Sequence, residues 1–136
     1  MVRLIMSGSG EGKTKQLIEL MENAAESEVG CMVCIEPKRN ISFNLRHQTR
    51  LIDASEFNID SFETLRGFVC GLYAGNYDIS HIFVDDLCKV ANSSDEHGIG
   101  RFLTWLDSFT APLNLKATIT VSANPDTATD TMRKYM

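Results

Sequence analysis

Two rhythms of apolar residues alternate along this chain. Short, mostly apolar runs at 2–6, 31–35, 50–54, 81–84 and 117–123 have the length and composition of strands. Between them the apolar positions recur at helical spacing. Leu17, Leu20, Met21 and Ala24 form one stripe, Phe62, Leu65, Phe68, Val69 and Leu72 a second, and Phe102, Leu103, Leu106 and Phe109 a third. Asp60-Ser61-Phe62-Glu63 has the spacing of a capping box, with Asp60 as cap and Glu63 reaching back, and Gly75 closes that helix. Ser93-Ser94-Asp95-Glu96 starts the next one, which stops before Pro112. A short helix is expected after Pro125, and 50–54 is expected near a sheet edge. Strands alternating with helices predict an α/β fold: three layers, a mostly parallel sheet of about five strands, and helices on both faces. There is no internal repeat, low-complexity tract or linker, so residues 1–136 are expected to form one domain.

In such sheets ligands gather at the carboxyl ends of the strands. Directly after the first run comes Ser7-Gly8-Ser9-Gly10-Glu11-Gly12-Lys13-Thr14, followed by Lys15 at the start of the first helical stripe. This reads as a phosphate-binding loop of the type G-x-x-x-x-G-K-[ST], in its required strand–loop–helix setting. Glycines let the backbone curl so that successive N–H groups face an anion at a helix N-terminus. Lys13 would then reach the β- and γ-phosphates, and the Thr14 hydroxyl would take one position on Mg²⁺. The chain departs from the pattern at Ser7, where the first glycine belongs; Gly8 and Gly10 supply compensating freedom.

Other strand ends bring further chemistry. Ile82-Phe83-Val84-Asp85-Asp86 carries two acids out of an apolar strand, Cys34-Ile35-Glu36-Pro37 carries one, and Ser122-Ala123-Asn124-Pro125 ends the last strand. Asp85, carried to a strand tip, is the candidate magnesium ligand, and Glu36, Asp86 and Asn124, with Ser122, are further candidates along the same rim. Bland readings accompany each: acids capping a strand end, a solvated glutamate before a proline-forced turn, and ordinary turn chemistry at Asn124.

Residues 2–14 and 82–86 together resemble the two nucleotide motifs of P-loop NTPases. The acid-then-proline segment at Glu36 resembles that of the twitching-motility and secretion ATPases within the RecA-like division. The resemblance implies ATP as ligand, Mg²⁺ as cofactor, Asp86 in the place of a water-polarising glutamate, Glu36 as a rival base for activating water, and Asn124, with Ser122, in the place of a γ-phosphate sensor. The chain lacks the additional domain and the His and Asp boxes of secretion ATPases, and it ends where a further strand would usually follow. It therefore resembles a minimal or truncated member, and motor activity is not implied.

Composition narrows the rest. The chain is 43% hydrophobic and 23% charged with a formal charge of −5, so bulk charge does not point to nucleic acid or an anionic membrane. No apolar run is long enough to span a bilayer, so membrane insertion is not expected. Four cysteines within predicted strands and helices suit reduced thiols in a cytoplasm. Cys31 and Cys34 have C-x-x-C spacing, but i and i+3 in a strand face opposite ways, which makes chelation poor. His47, His81 and His97 lack ligand spacing, and Trp105 is expected to pack. Lys38, Arg39, Arg46, His47 and Arg50 form a basic cluster that reads as solvated surface or as a site for a phosphate, second substrate or acidic partner. Arg101, Arg133 and Lys134 are candidate cations for a neighbouring subunit's site.

The function expected is that of an ATP-binding P-loop protein, a weak Mg-dependent ATPase acting with a protein partner or as a homo-oligomer. A non-hydrolysing, nucleotide-responsive binding module and a nucleoside or small-molecule kinase are the alternatives. ATP is preferred to GTP because no guanine-reading N/T-K-x-D motif is present.

Overall fold

The computed structural model describes residues 1–8, 12–27, 30–39 and 49–136, and of Lys13 only the backbone. Five strands form one sheet: β1 (Val2–Ser7), β2 (Cys31–Glu36), β3 (Thr49–Asp53), β4 (Ile79–Val84) and β5 (Lys116–Ser122). Their spatial order is β1-β5-β4-β2-β3 and every pairing is parallel. All five carboxyl ends therefore lie along one rim. The strand after the helix that follows the glycine-rich loop, β2, does not pair with β1; two later strands stand between them. β3 forms one edge, as expected, and β1 forms the other. There the Leu4 N–H donates to the Tyr135 carbonyl at 2.7 Å, which meets a donor that would otherwise be left open.

Side-chain alternation divides the sheet into two faces. One carries Val2, Leu4 and Met6, Val33 and Ile35, Ile82 and Val84, and Ala117, Ile119 and Val121. It is covered by α2 (Phe62–Gly75), α3 (Leu87–Val90), α4 (Glu96–Thr110) and α5 (Asp130–Arg133), through buried residues such as Leu65, Val69, Leu103, Leu106 and Met132. The other face receives α1 (Lys13–Ser27), whose Leu17 and Met21 are fully buried against Met32, Cys34 and Phe83. Leu20 and Ala24 of the expected stripe are only partly buried there, so the true seam of α1 is the Leu17–Met21 pair.

The cysteines follow the same alternation. Cys31 packs on the α2 face, Cys34 on the α1 face. His81 is buried, stacked on Phe83 with centroids 3.9 Å apart, and Nε2 shares a 2.8 Å hydrogen bond with the Thr118 hydroxyl. Trp105 packs as expected, stacked on Phe109, with the Arg66 guanidinium 4.9 Å from its ring.

Two local expectations need correction. The capping box of α2 lies one residue later than its spacing suggested: Ser61 is the cap and Thr64, not Glu63, reaches back. A threonine hydroxyl serves the N3 role as well as a glutamate, and with Ser61 as cap Phe62 becomes the first residue of the helix. The short helix α3 was not expected. Leu87 and Val90 are both buried, and one turn is enough to bring them under β5.

Candidate functional site

The rim gathers its chemistry on the α1 face. Ser7 has the same parity as Ile5 in β1, Thr120 and Ser122 the same as Thr118 in β5, Asp85 the same as Phe83 in β4, and Glu36 the same as Cys34 in β2. All project toward the side on which α1 begins. Thr120, Asp85 and Glu36 share one level, since Val84 is in register with Ile119 and with Ile35, and the Asp85 N–H donates to the Ile35 carbonyl at 2.9 Å. Ser7 and Ser122, paired with each other, lie one same-face step further out.

Asp85 and Glu36 are deeply buried, at 6% and 1% exposure. Carboxylates are seldom buried to this degree without partners. For Asp85 one partner is Thr120, whose hydroxyl donates to Oδ1 at 3.1 Å. The Thr120 hydroxyl oxygen in turn accepts the Asp86 N–H at 2.8 Å. Cys34 lies one same-face step inward from Glu36, in register with Phe83. Burial pushes its thiol well above the usual range, and the Asp85 and Glu36 carboxylates push it further in the same direction. The shared level of Asp85 and Glu36 on adjacent strands makes the two acids near neighbours on this face.

Asp86 behaves differently. Its backbone is left-handed, with φ 59° and ψ 69°, which turns the chain from β4 into α3. Its carboxylate lies 3.7 Å from Lys89 Nζ, one turn along the helix. The two consecutive acids are thus sorted, Asp85 into the rim and Asp86 toward an ion pair.

On the loop side, Ser7, Gly8, Gly12 and Thr14 are described, together with the backbone of Lys13. Ser9, Gly10, Glu11 and the Lys13 side chain lie outside the described residues. Gly12 has φ 76°, the left-handed conformation that glycine adopts without steric cost, and its carbonyl accepts the Gln16 N–H at 3.0 Å as α1 starts. The first N–H groups of α1 have no helical acceptor, as at any helix start, and are free to meet an anion. Thr14 is half-buried and Lys15 exposed. The Ser7 Oγ is buried and makes no hydrogen bond among the described residues.

Asn124 follows β5 as the cap of a 3₁₀ turn, Pro125–Thr127. Its Oδ1 accepts the Asp126 N–H at 2.9 Å, so its turn role is real and its amide N–H groups are what it can offer a ligand. Of the basic cluster, Lys38, Arg39 and Arg50 are exposed, while Arg46 and His47 lie outside the described residues. Arg101 and His97 line a cavity of about 350 Å³ beside α4, with Glu96, Thr104, Thr129 and Thr131. That cavity is built from α4 and the turn into α5, not from the strand tips. Arg133 lies 3.5 Å from Asp130, both exposed.

Thr120 is the residue that motif reading passes over. Its signal was the alternation of hydroxyls at 118, 120 and 122 with apolar residues at 117, 119 and 121, which puts all three hydroxyls on one face.

No protein-family profile matches this chain, and no curated protein matches it in sequence. Among solved structures, a KaiC-like protein from the hyperthermophilic archaeon Pyrococcus horikoshii aligns over 98% of this chain and 68% of its own, with a TM-score of 0.67 and 14% sequence identity. The likeness is one of fold: a five-stranded, all-parallel α/β sheet with helices on both faces. It does not single out the twitching-motility and secretion ATPases, the division that the segment around Glu36 resembles. No helix among the described residues is long and apolar enough to cross a membrane.

Proposed function

We propose that residues 1–136 form one P-loop nucleotide-binding domain that binds Mg·ATP and hydrolyses it slowly, completed by a protein partner or a second copy of itself. The observation that carries this reading is the shared face. Asp85, Thr120, Glu36 and Ser7 project from four different strands toward the start of α1, where the glycine-rich loop ends.

In this reading the loop backbone from Ser7 to Thr14 and the N-terminus of α1 hold the phosphates, and Lys13 offsets the charge that develops on them. Thr14 and Asp85 offer the hard oxygen ligands that suit Mg²⁺. Among the described residues no cluster of three or more metal-ligating side chains occurs, which fits an ion held by one carboxylate together with nucleotide phosphates and water. Bound there, Mg²⁺ would supply charge neutralisation at the β- and γ-oxygens. Glu36 is the better-placed base for orienting water, because it shares the face of Asp85 whereas the Asp86 carboxylate is directed at Lys89. Asn124 offers its amide N–H groups to the γ-phosphate.

The Asp86–Lys89 pair also favours the second reading, a module that binds nucleotide without turning it over. Calorimetric titration of Mg·ATP into the wild type and Lys13→Ala, with ADP assayed on the recovered sample, separates these. Wild-type binding weakened at least about tenfold by Lys13→Ala is expected, since a charged hydrogen bond is removed, along with slow ADP release. Binding with no ADP over hours establishes the module. Equal behaviour of the two proteins overturns the phosphate site.

A further inference from the structure

We propose that the Ser7 hydroxyl is a phosphate contact in its own right, donating a hydrogen bond to a non-bridging oxygen of the bound nucleotide. This rests on the nucleotide-binding reading above. The phosphate-loop pattern asks for glycine at this position, so a side chain here is an addition that the loop's geometry does not require. The added atom is polar, its Oγ is buried, and it has no hydrogen-bond partner among the described residues. A buried hydroxyl without a partner is costly, and an alanine would fill the same space without that cost.

Its position says what would satisfy it. Strand parity sends Ser7 to the α1 face, one step outward from the level of Thr120 and Asp85, at the residue where β1 gives way to the loop. The neighbour opposite it in register, Ser122, makes no bond to it. An anion cradled between the loop and the start of α1 would bring acceptor oxygens to this rim. The hydroxyl can donate to one of them at little cost, because it has no bond to give up. Ser7 is thus a positioning residue whose burden in the empty protein is relieved by ligand.

The two consequences have opposite signs, which a merely structural serine would not produce. Ser7→Ala is expected to raise the melting midpoint of the nucleotide-free protein by roughly 3 °C, by removing an unmet buried polar group. The same variant is expected to bind Mg·ATP about tenfold more weakly in calorimetric titration, and Ser7→Thr, which keeps the hydroxyl, to restore binding to within about threefold. Ser7→Ala that binds Mg·ATP as tightly as wild type overturns this inference while leaving the nucleotide site intact. A lowered midpoint overturns it too, since the hydroxyl would then be satisfied without ligand. Wild type that fails to bind Mg·ATP removes both this inference and the reading it rests on.

Discussion

Thr120 fixes Asp85 from the neighbouring strand, donating its hydroxyl proton to Oδ1 at 3.1 Å while accepting the N–H of Asp86 at 2.8 Å. One oxygen thus holds the carboxylate at the end of β4 and the left-handed turn that follows it. Thr120→Val keeps shape but leaves a buried carboxylate oxygen and a backbone N–H short of a partner. The expected loss is about 1–3 kcal/mol in urea unfolding with an unchanged m-value. Thr120→Ser keeps the hydroxyl and should recover most of that loss. If Asp85 is the magnesium ligand, Thr120→Val should also raise the Mg²⁺ concentration needed for half-maximal nucleotide binding.

The two candidate bases differ in surroundings, and so should their variants. Glu36→Gln is expected to lower ADP production by about 100-fold or more, the usual scale of a lost general base, with Mg·ATP affinity within a few-fold of wild type. Asp86→Asn, which removes the partner of Lys89, should retain most of the turnover. Single-turnover assays alongside calorimetry check both. The reverse ranking would transfer the role to Asp86.

Asp53, at the tip of β3, supplies the pH dependence. Hydrogen bonding from the Ser55 side chain, helped by the Ser55 and Arg39 N–H groups and the Arg39 charge, holds its carboxyl below the ordinary value. A depressed folded-state pKa gives stability that is present above the unfolded value of about 4 and lost as pH falls through the folded one. Asp53→Asn should therefore be less stable than wild type at neutral pH, with the gap closing below about pH 4. Paired thermal melts from pH 7 to pH 3 test it; a gap that persists at pH 3 would mean that the charge is irrelevant.

Gly30 sits where the chain enters β2, and a Cβ there would lie 2.5 Å from the Asp78 carbonyl oxygen and 2.6 Å from Ser80 Cβ. The obstacle is backbone, which cannot swing aside, and the adjacent Cys31 N–H to Asp78 carbonyl bond of 2.8 Å would be strained with it. Gly30→Ala is expected to cost about 1–3 kcal/mol, as other overpacked sites do. Denaturant titration reads the loss directly.

Most of the framework could be read because the signals were long and redundant. Buried parallel strands give apolar runs, and the stripes in α2 and α4 specify their faces over two to three turns. The α2 cap was misplaced by one residue because Asp60 and Ser61 are both good caps, and a threonine at N3 gives no motif that separates them. The helix α3 escaped notice since four residues cannot display a period. At the site, Asp85 and Glu36 stood out as acids ending apolar runs, and the structure brings both to one face. Thr120 did not stand out, because a threonine inside a strand is common and only its neighbours across the sheet make it matter. The different directions taken by Asp85 and Asp86 also depend on a backbone turn that no residue-type pattern records.

Among the described residues, the helix that follows the glycine-rich loop is also the one that stands alone on its face. Two fully buried side chains, Leu17 and Met21, attach α1 to Met32, Cys34 and Phe83, whereas the opposite layer shares one large continuous core. A ligand gripped at the N-terminus of α1 would therefore act as a second fastening for a lightly fastened segment, and its binding energy would appear as slowed amide exchange along α1, while α2 and α4 would change little.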